Sequence, residues 1–188
     1  MPRSALTCLI IMLCFLGNLA GEEEIMPLEV GNSWEYSYKA GEMSGEYICE
    51  ITERYEQSGT CIFKMEFEGV IYTAGYYQLY SINDQGEVLF YGDSEQGELE
   101  TPEIIIKYPL EKDFTWVTSG LGAEVTWEVI DLNEEVTVPA GTFQCVHVFG
   151  TNSQGGGTDH WYAPGVGDVK IYQRNLDLIL ELEDYQIK

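Results

Sequence analysis

The chain has 188 residues, 45% of them hydrophobic and 13% aromatic, with 32 acidic against 9 basic side chains and a formal net charge of −23. That apolar content is enough for a packed core, which excludes a disordered chain even at this charge. The acidity repels nucleic acid and anionic membrane surfaces, so neither is expected as a partner, and no motif implies a cofactor.

Residues 1–21 read as a secretory signal peptide, expected to be cleaved near Ala20 or Gly21. Arg3 supplies the leading positive charge, an apolar run extends from Ala5 to Leu16, and the small residues Gly17, Ala20 and Gly21 follow. The run is shorter than the roughly 20 residues of a membrane-spanning helix. An uncleaved anchor is the alternative, because Asn18 would stand where a small residue is preferred. Neither Cys8 nor Cys14 follows the small residues of a lipid-attachment site. The expected product is a single all-β domain, 22–188, exported to a periplasm or to the extracellular medium.

Three cysteines lie beyond the leader: Cys49, Cys61 and Cys145. In an oxidising compartment an odd number predicts one disulfide and one thiol. A turn at Gln57-Ser58-Gly59 would leave Cys49 and Cys61 about four residues apart along the ladder, over ~10 Å at the usual rise. A bridge needs Cα atoms within about 7 Å. Cys61 with Cys145 is therefore the expected pair, Cys49 with Cys145 the second choice, and three buried free thiols the alternative.

In chain order, Trp34, Tyr36 and Tyr38 alternate with polar residues, as do Tyr47, Cys49 and Ile51. Cys61, Phe63, Met65 and Phe67 alternate with Lys64, Glu66 and Glu68, the pattern of an antiparallel sheet with one wet face. A tyrosine-rich run from Val70 to Ile82 ends in the turn Asn83-Asp84-Gln85-Gly86, and a strand returns from Glu87 to Tyr91. Residues 92–103 read as an exposed acidic loop. Ile104 to Ile106 lead to Tyr108-Pro109, which proline confines to an edge or crossover. Phe114 and Trp116 follow, then Val125, Trp127 and Val129 at period two. Pro139-Ala140-Gly141 reverses the chain, Gly155 to Gly157 form a hairpin tip, and Pro164-Gly165 make a second corner. Leu176, Leu178, Leu180 and Leu182 then give a final strand with one apolar face. About 11–13 short strands and no helical periodicity predict a single curved antiparallel sheet, with a β-sandwich as the alternative.

Three ordered motifs carry a resemblance. Pro27-Leu28-x-x-Gly31-Asn32-x-Trp34-x-Tyr36, Val136-x-Val138-Pro139-Ala140-Gly141-Thr142-Phe143-x-Cys145-x-x-Val148 and Trp161-Tyr162-Ala163-Pro164-Gly165-Val166-Gly167-x-Val169-Lys170 resemble a widespread group of exported bacterial proteins of unknown function. That group is similar in architecture to the LolA-like lipoprotein carriers, which implies a half-barrel over an apolar cavity. This chain departs from the group in placing Asp168 where an apolar residue is usual.

Chemistry is sparsely signalled. Cys145 and His147 share a strand face, but core filling explains such a pair better than a catalytic thiol. Asp159, His160 and His147 match no metal-ligand spacing, and the glycine triplet lacks the Lys-Ser or Lys-Thr of a phosphate loop. The chain is therefore read as a non-enzyme with no metal. It is expected to hold an apolar ligand or a lipidated partner on the concave face, lined by Trp34, Tyr36, Phe63, Phe67, Tyr80, Trp127, Phe143 and Trp161. A lipid, a lipoprotein or an envelope protein would be the partner. The alternative is an interaction module of the cell envelope, meeting another protein through strand edges or residues 92–103.

Overall fold

Period-two alternation along the chain produces twelve strands in the computed structural model, which describes residues 24–119, 124–153 and 155–188. The expected signal peptide lies outside the described residues. The strands are β1 (Ser33–Ala40), β2 (Met43–Gln57), β3 (Thr60–Gly69), β4 (Tyr77–Ile82), β5 (Val88–Asp93) and β6 (Gly97–Ile106). They continue as β7 (Thr115–Thr118), β8 (Val125–Val138), β9 (Gly141–Asn152), β10 (Gly157–Ala163), β11 (Gly167–Gln173) and β12 (Leu178–Gln186). Among the described residues there is no helix.

All twelve belong to one antiparallel sheet in the order β6-β5-β4-β3-β2-β1-β12-β11-β10-β9-β8-β7. The first and last strands meet in the middle, Tyr38 opposite Leu180, so the two halves of the chain are joined by their termini. The edges, β6 and β7, are consecutive in the chain and touch, which curls the sheet into a nearly closed barrel. A single sheet excludes the sandwich, and the curl goes beyond the half-barrel implied by the resemblance.

The tight corners fall where Gly and Pro sit. Ser58 and Gly59 both take positive φ, 52° and 85°, in the two-residue turn from β2 to β3, a geometry whose twist matches the flanking strands. Residues 92–103 are not a loop. Asp93 accepts hydrogen bonds from the backbone of Glu95 and Gln96, at 2.9 and 2.7 Å, and the chain reverses directly into edge strand β6. An edge strand tolerates charge on its free side, which is why the acidic composition concealed it.

The anticipated Cys61–Cys145 bridge is not formed, and Cys49, Cys61 and Cys145 are free. Cys61 sits beside the β2–β3 turn and accepts a hydrogen bond from Arg54 Nε at 2.8 Å. Cys145 is fully buried on β9, in the other half of the sheet. Burial pushes the Cys145 thiol up to about 12, with Glu134 and Asp168 adding to the rise.

The three sequence motifs meet at one end of the barrel. Gly165 N–H donates to Glu24 O at 2.9 Å, Trp34 Nε1 donates to Val166 O at 2.6 Å, and Tyr36 Oη donates to Asp168 O at 2.7 Å. The Pro139 corner is tied on by Ala140 N–H to Leu182 O at 2.9 Å. Buried Ile25 and Leu28 pack beneath these contacts. The motif residues thus stopper one end.

Candidate functional site

A cavity of about 530 Å³ occupies the barrel interior. Its wall is built from the inward faces of β1 to β4, of β6 and of β10 to β12, with Trp34, Tyr36, Tyr47, Phe67, Tyr80 and Tyr162 among the largest side chains. Ile71 and Tyr72 carry the wall into the connection between β3 and β4, where Ile71 is 43% exposed at the rim opposite the stoppered end.

Trp127 reaches this cavity because of a glycine. Its indole lies across Gly150 of β9, where an added Cβ would collide with ring carbons Cζ3 and Cε3. Lying flat, the ring spans β9 and meets His160 of β10 edge-on, with centroids 5.6 Å apart. His160 in turn stacks on Tyr162 at 5.4 Å.

The wall has one charged carboxylate. Among the described residues lining the cavity, Asp168 is the only Asp or Glu, and none is Lys or Arg. A β-bulge aims it inward: Trp161 pairs with Lys170, but Tyr162 pairs with Asp168, so Val169 is an extra residue in β11. Simple alternation would put Asp168 on the outer face with Lys170. Asp168 Oδ1 lies 3.0 Å from Nδ1 of His160, which therefore carries the proton. Burial pushes the Tyr36, Tyr80 and Tyr162 hydroxyls well above their ordinary value, and the charge of Asp168 adds to each rise. These phenols remain neutral donors and acceptors.

Of the eight expected lining residues, Trp34, Tyr36, Phe67, Tyr80 and Trp127 face the cavity and three do not. Phe63 lies toward the stoppered end, beneath Arg54 at 5.7 Å, beside a separate cleft bordered by Leu28 and Lys188. Phe143 meets Tyr185 of β12, with centroids 6.0 Å apart. Trp161 is on the outer wall, stacked on His147 at 4.5 Å under Lys170. Parity with Asp159 explains that placement. His160, Tyr162 and Asp168 are among the lining residues outside the expected set, and the bulge that turns Asp168 inward has no signal in simple alternation.

The outer wall holds a second histidine and aspartate. His147 Nδ1 lies 2.8 Å from Glu134 Oε2, and its Nε2 lies 3.0 Å from Asp159 Oδ1. Arg174 grips the same carboxylate with Nε and Nη2 at 2.6 and 2.7 Å, its guanidinium 4.2 Å above the Phe149 ring. Burial alone would raise the Asp159 carboxyl, but hydrogen bonds from Arg174 and His147 more than offset this and hold it below the ordinary value. Cys145 is not a partner of His147, and Asp159 and His160 point to opposite faces. Among the described residues no three His, Cys, Asp or Glu side chains converge to hold a metal ion.

No family model matches the sequence, and no curated protein matches it. Among solved structures, the chain is similar to a candidate exported protein with a YmcC-like fold from Bacteroides fragilis. The TM-score is 0.55 at 16% identity, over 87% of this chain and 99% of that one. A candidate lipoprotein from Parabacteroides distasonis aligns over the same shares at 14% identity with a TM-score of 0.42. The Bacteroides likeness shows that this chain shares the fold of that protein.

Proposed function

We propose that the protein is a non-enzymatic exported barrel that holds an apolar small molecule inside its sheet. The observation that carries this reading is the 530 Å³ cavity walled by tyrosine, tryptophan and aliphatic side chains. Its volume lies within the range of small-molecule sites, about 300 to 1,000 Å³, and apolar walls with a few polar groups are their usual construction. Burying the whole apolar surface of a lipid-sized molecule there is favourable at about 25 cal/mol per Å². His160 has no hydroxyl or thiol hydrogen-bonded to it among the described residues, which favours binding over acyl transfer. The signal-peptide reading of residues 1–21 supports export.

The test is a titration of the chain lacking its leader with N-phenyl-1-naphthylamine, an uncharged apolar probe. The expected result is one saturable site per chain, quenching of tryptophan emission and displacement of the probe by dodecanol. Absence of saturable uptake, together with no co-purifying small molecule in native mass spectrometry, refutes the reading.

A further inference from the structure

We propose that the molecule this cavity takes carries a cationic, ammonium-type head, and that Asp168 receives it. The inference rests on the cavity reading above and adds the charge of the ligand.

The first ground is an uncompensated charge. Among the described residues Asp168 is the wall's only carboxylate, its side chain is 23% exposed, and only Oδ1 has a side-chain partner, the Nδ1 of His160. The nearby bases are engaged on the other face of the sheet. Lys170 pairs with Glu181 at 2.7 Å, and Arg174 is bound to Asp159. An ionised carboxylate facing an apolar space is costly unless a counter-charge or donors reach it, so Oδ2 is poised to accept from a ligand.

The second ground is the surroundings. In the neutral imidazole with its proton on Nδ1, Nε2 offers a second acceptor, and that form of the pair presents acceptors to the cavity. Tyr36, Tyr80 and Tyr162 line the same space, and an aromatic ring attracts an ammonium that meets its face. A net charge of −23 concentrates cations around the protein and repels anions. A fatty-acid carboxylate, by contrast, would meet Asp168 with no Lys or Arg among the described residues of the wall to neutralise it.

Three ligands of equal chain length test this at neutral pH: dodecylamine, dodecanol and dodecanoate, each displacing N-phenyl-1-naphthylamine. The amine is expected to bind at least about tenfold more tightly than the alcohol, with dodecanoate weakest, as a desolvated charge pair requires. Asp168→Asn should bring amine and alcohol within about twofold of each other, chiefly by weakening the amine, and Asp168→Glu should restore part of the difference. Equal binding of amine and alcohol by the wild type overturns the inference and leaves the cavity reading standing. So does a preference that survives Asp168→Asn. Failure of all three ligands and of the probe removes both. The wild-type ratio decides the matter even if a variant does not fold.

Discussion

Strand β10 carries two consecutive polar residues that enter opposite worlds. Asp159 faces outward and is saturated: two nitrogens of Arg174 and one of His147 satisfy it, and Glu134 takes the other nitrogen of His147. His160 faces inward and shares a single hydrogen bond with Asp168, leaving Nε2 and Oδ2 without a side-chain partner among the described residues. Both are histidine–aspartate pairs with an aromatic ring stacked on the imidazole, Trp161 outside and Tyr162 inside. A saturated network holds strands together, whereas a pair with spare acceptors beside an apolar cavity has capacity left for a ligand.

Stability separates the two pairs most sharply. Arg174→Met should leave Asp159, only 2% exposed, with a buried carboxylate short of its main partner, and lower unfolding free energy in urea by about 3 kcal/mol. A loss as large from Asp168→Asn would show the inner pair to be structural as well. Gly150→Ala drives a Cβ into the Trp127 ring and should cost about 1–3 kcal/mol. The same substitution should change the near-UV circular dichroism as Trp127 leaves His160.

Acid titration of stability gives a smaller separation. The Asp159 carboxyl is held below its unfolded value, so its contribution is fully present above that value and is lost as pH falls through the folded one. The stability gap between wild type and Asp159→Asn should therefore be constant near neutrality and close below about pH 3.9. Asp168→Asn should change stability by less than about 1 kcal/mol in either direction, because it removes a charge that the fold does not neutralise. Smallest of all is a thiol count: a disulfide-exchange reagent should label Cys61 promptly in the native chain lacking its leader, with buried Cys49 and Cys145 reacting only on unfolding.

Most of the sheet was legible because alternation and corners are local. Trp34, Tyr36 and Tyr38 could face only one way together, and Pro139 and Pro164 fixed their corners. What escaped was set by pairing between strands distant in sequence. Asp168 points inward because β11 carries a bulge against β10, and one extra residue reverses every parity argument beyond it. Trp161 stands in the expected lining set, yet strict alternation between the inward His160 and Tyr162 puts it on the outer wall. The acidic run at 92–103 looked like a loop because composition reports solvent exposure, which an edge strand shares.

The chain contains only two histidines, and one stands at each pair, which makes the decisive measurement a direct one. Proton–carbon correlation spectra of the imidazole Cε1–H groups, recorded while dodecylamine is added, report on inside and outside at once. The account predicts that the His160 resonance moves and saturates with the ligand while His147 stays where it was. A stationary His160, or equal movement of both, would contradict it.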